Sequence, residues 1–180
     1  MEYTKVQISV AVWEELWLVA EVKFDHFYFA YLDIYIRTPD TPAMAYFEYK
    51  VDSGANRTTI SNIDLNGLGY NNDWIKTGKL LTGDDRPTVA TGEPLDDCYI
   101  VSLPEITIGD YVGYNWPFLT SLSVPFKNLL GTDTMNFFNW EFDYEKGVCR
   151  FNIIPGKRKI LFNQNEQAMH SLDEIDNTLE

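Results

Sequence analysis

One short segment limits the folds open to this chain more than any other. Ala45 to Val51 alternates in the manner of a β-strand and runs without a linker into Asp52-Ser53-Gly54-Ala55, after which Thr58-Thr59-Ile60-Ser61 reads as a second short strand. A carboxylate is thereby delivered from the end of a rigid element into a tight turn. Gly54 lets the backbone reverse sharply and lets another backbone, or a ligand, come close. Ala55 is small and leaves room beside the carboxylate.

The surrounding pattern is mostly β. Val6, Ile8, Val10 and Val12 alternate with Gln7, Ser9 and Ala11, which reads as a strand over Lys5 to Val12. Trp13 to Glu21 fits either a short helical turn or a continued strand. Phe24 to Ile36 is rich in aromatic and β-branched residues, and the prolines of Arg37 to Pro42 break it. Asn66 to Gly69 and Asn71 to Asp73 read as turns. Short strand-like runs follow from Leu80 to Ile108, with a turn at Gly109. Thr132 to Phe138 is the best helix candidate. Trp140 to Tyr144 and Val148 to Ile153 alternate around Glu145-Lys146-Gly147 as a hairpin would. From about Gln164 the chain is polar and acidic, and no internal repeat is present.

Composition removes whole classes of function. A 180-residue chain that is 45% hydrophobic and 15% aromatic is apolar enough to bury a core despite its net charge of −13. That charge opposes nucleic acid and anionic membranes, both of which are gripped by clustered cations. No run reaches the roughly 18 apolar residues of a membrane span. Met1 to Lys5 lacks the pattern of a secretory signal, so a cytoplasmic location is expected. Cys98 and Cys149 stand far apart with no nearby His, which supports no metal site and leaves a disulfide open, free thiols being the default. Asp84, Asp85, Asp96 and Asp97 lack calcium-loop spacing and read as solvated loop charges. Trp13, Trp17, Phe24, Phe27, Tyr28, Phe29 and Tyr31 read as aromatics of a sheet core.

Asp52-Ser53-Gly54-Ala55 resembles the D-[ST]-G-[AS] active-site motif of the aspartic proteases. Downstream, Asn128-Leu129-Leu130-Gly131-Thr132-Asp133-Thr134-Met135 resembles that family's hydrophobic-hydrophobic-Gly segment and the short helix after it. The hairpin at Trp140 to Phe151 is similar to the family's closing hairpin. Order and spacing resemble the retroviral-type, retropepsin-like branch with its bacterial and phage relatives, over roughly Ala45 to Ile154. Asn56 and Arg57 depart from it, standing where retroviral members usually carry acidic residues.

The resemblance implies an all-β, retropepsin-like acid-protease barrel with one short helix after Leu129-Leu130-Gly131. It implies Asp52 as the catalytic residue, in a loop made with Ser53, Gly54 and Ala55. Leu129, Leu130, Gly131 and Asp133 would support that loop, Asp133 by capping the helix or by ordering the loop itself. A flap over substrate would lie between Pro87 and Tyr99, its tip at Ala90, Thr91 and Gly92. Peptide hydrolysis by this route needs two carboxylates sharing a proton, and the chain carries the motif once. A C2 homodimer would supply the second Asp52, with the Ser53 hydroxyl bonding across the interface. Polypeptide is then the substrate, and neither metal nor organic cofactor is required. Residues 1–22 are expected as an N-terminal extension, 23–157 as the protease domain and 158–180 as an acidic tail. The alternatives keep less: a retropepsin-like binding or assembly module without activity, or an unrelated β-rich binding domain.

Overall fold

The computed structural model describes residues 18–27, 29–40, 43–88, 92–109 and 111–154. Among the described residues, nine strands run in chain order as β1 (Leu18–Lys23), β2 (Tyr31–Arg37), β3 (Met44–Val51), β4 (Lys79–Leu80), β5 (Cys98–Ile108), β6 (Tyr111–Ser121), β7 (Leu129–Leu130), β8 (Phe138–Asp143) and β9 (Val148–Ile153). Three short helices interrupt them: α1 (Asn62–Leu68), α2 (Asn72–Ile75) and α3 (Thr132–Met135). The fold is strand-rich with few helices. Among the described residues, no helix is long and apolar enough to cross a membrane.

β2 shows why these residues form a sheet. Leu32, Ile34 and Ile36 are buried, while Asp33 and Tyr35 between them are exposed, so one face enters the core at period two. Each such buried aliphatic side chain contributes about 1.5–3 kcal/mol relative to exposure. β3 pairs antiparallel with β2 along its length, from Tyr31↔Lys50 to Arg37↔Met44. β5 meets β2 through Ile34↔Ile108 and Ile36↔Ile106, and runs antiparallel to β6 from Cys98↔Ser121 to Ile108↔Tyr111. A separate three-stranded sheet has the order β1-β9-β8, with Val22↔Cys149 and Phe142↔Cys149 on the two edges of β9.

The principal core lies between these layers, where Tyr49, Tyr70, Phe118 and Phe151 are fully enclosed with Ile34, Ile36, Leu65 and Ile106. Within the three-stranded sheet Phe151 stacks on Trp140 at 4.6 Å and meets Phe138 edge-on at 5.6 Å, and Phe138 in turn meets Tyr111 of β6 edge-on at 6.1 Å, which ties that sheet to the core. Cys98 and Cys149 are both buried free thiols. Burial pushes the Cys149 thiol up to about 11.

Local expectations differ from this architecture at four places. The turns expected at Asn66 to Gly69 and Asn71 to Asp73 are instead parts of α1 and α2 and the link between them. Ser61 caps α1 by accepting from Ile63 N, Asn71 caps α2 by accepting from Trp74 N, and Gly69 ends α1 at φ +102°. The expected single helix thus has two companions. The run Phe24 to Ile36 is not one strand. Asp25 Oδ1 accepts from Phe27 N at 2.8 Å and Phe29 N at 2.9 Å, and this turn folds Phe24 back against Ala30. Two of its aromatics are therefore outside the core, Phe27 and Phe29 being 65% and 41% exposed. The sequence pattern assigns no element to Tyr111–Ser121, because Gly113, Asn115 and Pro117 disguise a long strand. Its register closes on β5 at Leu103↔Trp116 and Glu105↔Tyr114. The strand expected at Lys5 to Val12, Trp13, Trp17 and Tyr28, and the acidic tail lie outside the described residues.

Candidate active site

β3 ends at Val51, and the chain turns through Asp52 to Ala55, closed by Ala55 N donating to Asp52 O at 3.1 Å. Asp52 Oδ1 accepts from Gly54 N at 2.9 Å, so the turn's own backbone orients the carboxylate. Oδ2 takes no hydrogen bond from the described residues, and the half-buried side chain opens onto a groove.

What holds this turn is a second segment threaded between its two arms. β7 pairs in parallel with the end of β3, through Lys50↔Leu129 and Val51↔Leu130. On its other side Leu129 bridges Thr59, with Thr59 N donating to Leu129 O at 2.9 Å. Asp52 N donates to Leu130 O at 3.1 Å, and Thr132 N donates to Ala55 O at 2.8 Å. The Thr58–Ile60 arm is gripped from the far side by Leu119 of β6, whose N–H donates to Thr58 O and whose carbonyl accepts from Ile60 N. Pairings thus run from β2 through β3, β7, the Thr58–Ile60 arm, β6 and β5 and back to β2.

Gly131 is the point of closest approach. A Cβ placed there would lie 2.3 Å from Arg57 C and 2.4 Å from Arg57 O, which are backbone atoms with no freedom to yield. The residue after it is the start of α3, where Asp133 Oδ1 accepts from Thr58 N at 2.8 Å and from Thr134 N at 2.7 Å, and lies 2.8 Å from Thr58 Oγ1. The N-cap position of α3 is Gly131 and has no side-chain cap bond. Thr58 Oγ1 also accepts from Gly131 N at 3.1 Å and sits 2.7 Å from Thr134 Oγ1. Trp116 of β6 completes the cluster by donating from Nε1 to Thr134 Oγ1 at 3.1 Å.

The groove beside Asp52 has a volume of about 1140 Å³. Its walls include Leu81, Leu95, Ile100, Leu119 and Phe126, which form a small cluster with buried Cys98. Charged residues line it as well, among them Arg57, Lys79 and Lys127, with Asp84 and Asp85 in a turn of 3-10 helix (Gly83–Asp85). After that turn, Pro87 and Thr88 are pinned to Pro94 and Leu95 by Leu95 N donating to Pro87 O at 2.8 Å and by the bridge Thr88↔Pro94. Ala90 and Thr91, expected at a flap tip, lie outside the described residues. Gly92 is described and has φ +85°. Arg86 pairs with Asp96 at 2.7 Å next to that pairing.

Asp52, Ser53, Gly54 and Ala55 thus share one turn, and Leu129, Leu130, Gly131 and Asp133 lie directly behind it. Sequence reasoning did not single out Thr58, Thr134 or Trp116. Two threonines close to apolar runs were the available signal for the first two, and nothing local marks Trp116. Among the described residues, no group of three or more His, Cys, Asp or Glu side chains is placed to hold a metal ion.

No family model and no curated protein matches the chain. Among solved structures, it is similar to the crystal structure of a retropepsin-like aspartic protease from Rickettsia conorii. The two share 18% identity and a TM-score of 0.55, over 74% of this chain and 89% of that one. At that identity the likeness is one of fold, and the fold of this chain is retropepsin-like.

Proposed function

We propose that this chain is an aspartic endopeptidase that works as a homodimer, each copy contributing one Asp52. The observation that carries the proposal is the braced turn. Asp52 is oriented by Gly54 N, its backbone is tied to Leu130, and its carboxylate opens onto a groove of about 1140 Å³. The likeness in fold to a retropepsin-like aspartic protease supports the same assignment.

The chemistry follows from two carboxylates held close together. Two like charges in one site do not both ionise cheaply, so Asp52 and the partner subunit's Asp52 share one proton. The ionised carboxylate accepts a proton from water as the water oxygen attacks the scissile carbonyl carbon. The protonated one donates to the carbonyl oxygen, giving a tetrahedral gem-diol. The protonated carboxylate then donates its proton to the amide nitrogen while the other takes one from a gem-diol hydroxyl, so the C–N bond breaks, acid and amine leave, and the dyad again holds one proton. Leu129, Leu130 and Gly131 hold the turn in place, and Asp133 acts on it through Thr58. A cytoplasmic location accords with free thiols.

The test is cleavage of a diverse peptide mixture between about pH 4 and 7, the range expected of a carboxylate pair. Wild type and Asp52→Asn are run side by side at high protein concentration. Cleavage by wild type that disappears in the variant is the expected result. Equal cleavage by both would sink the mechanism. Peptide binding without cleavage would favour an inactive binding or assembly module.

A further inference from the structure

Most cations of the described residues are already committed. Arg37 pairs with Glu105, Lys76 with Asp73, Arg86 with Asp96, Lys146 with Asp143, and Arg150 with Glu21, Glu141 and Asp143. Lys50 sits 3.7 Å over the Phe29 ring. The remaining lysines and arginines with neither an ion pair nor a ring partner among the described residues are Lys23, Arg57, Lys79 and Lys127. Three of these four line the groove beside Asp52. In a chain of net charge −13, most of the cations left unpaired among the described residues lie in the groove beside Asp52.

Two of the three come from segments held side by side. Arg57 directly precedes Thr58, and Thr59 Oγ1 donates to the Lys127 carbonyl at 2.6 Å. Lys79 enters from β4, fixed by Lys79↔Ile100. The groove's other carboxylates among the described residues are Asp84 and Asp85, in the turn of 3-10 helix that follows β4. Among the described residues the groove thus carries three unpaired cations, Arg57, Lys79 and Lys127, beside Asp52, Asp84 and Asp85, while Arg86 is held by Asp96.

We propose that the groove selects acidic peptide: segments carrying Asp or Glu within about three residues of the bond to be cleaved, the carboxylate being received by Arg57 with Lys127 and Lys79 adding to the field. This rests on the endopeptidase assignment and narrows its substrate. Arg57 offers a planar fork of donors that matches a carboxylate, and the two lysines steer it.

The experiment uses pairs of peptides identical except for Glu against Gln at each of the three positions on either side of the cleaved bond, at about pH 6, where Glu is ionised. The ratio of kcat/KM within a pair is an internal control. We expect the Glu peptide to be preferred about five- to tenfold at one or more positions. The preference should shrink toward unity in 0.5 M NaCl and in Arg57→Gln, and should fall partly in Lys127→Gln. A ratio near unity in wild type at every position, or faster cleavage of the Gln peptides, overturns the inference while leaving the endopeptidase intact. If no peptide is cleaved, the endopeptidase assignment fails and binding of labelled peptides decides the remainder. Tighter binding of Glu peptide that is lost in Arg57→Gln supports an acidic-peptide groove, and equal or absent binding overturns it.

Discussion

Gly131 carries the sharpest constraint of any single residue. Gly69 and Gly92 serve positive φ, but Gly131 has φ −86° and is required for space alone. A methyl group there would overlap the Arg57 carbonyl group, and the relief is to push β7 away from the Thr58–Ile60 arm. That movement would break the bonds from Thr132 N to Ala55 O and from Gly131 N to Thr58 Oγ1. Gly131→Ala is therefore expected to lower stability by about 1–3 kcal/mol, the usual cost of overpacking, and to reduce peptide cleavage by well over tenfold. Denaturant unfolding and kcat/KM together check it. A variant with wild-type values for both would mean that the close approach is not rigid.

At the scale of elements, Trp116 is where β6 reaches the active turn. Its indole N–H donates to Thr134 Oγ1 in α3, and Thr134 lies against Thr58, which is bound to Asp133 and to Gly131 N. Three elements are joined through one buried polar cluster, and such a cluster is costly when one member is left unsatisfied. Gly113 packs beneath the same indole, a Cβ there falling 2.8 Å from Trp116 Cε3. Trp116→Phe keeps most of the apolar body and deletes the donor. The expected result is a loss of about 1–3 kcal/mol in stability, with kcat falling and KM nearly unchanged, because Trp116 positions the turn and touches no substrate. A change confined to KM would contradict a positioning role.

For the molecule as a whole, the proposed chemistry depends on pairing two chains. An Asp52→Asn subunit mixed with wild type forms heterodimers that hold one intact carboxylate. Specific activity per wild-type chain should fall in proportion to the wild-type fraction once subunits have exchanged, so that an equal mixture retains about half. Activity per wild-type chain should also rise with total concentration through the dissociation constant of the dimer. Kinetics of the mixtures, read beside sedimentation, check both. Activity per wild-type chain that is indifferent to added variant at every ratio would point to a site complete within one chain.

The amino-acid sequence by itself determined the β character of the chain and the Asp52 turn. It could do so because period-two burial and a glycine-containing turn are written into consecutive residues. It left α1 and α2 unread, since a Ser61 cap and a Gly69 terminus around seven residues look locally like a turn. It placed Phe27 and Phe29 in the core, because hydrophobicity alone does not reveal that Asp25 folds them into a turn facing solvent. Only the tertiary structure brought Trp116 to Thr134 and gathered Arg57, Lys79 and Lys127 around one groove. Those residues are distant in sequence and share no period. Their association is decided by which strands pair and in which register, a property of the closed set of pairings rather than of any one segment.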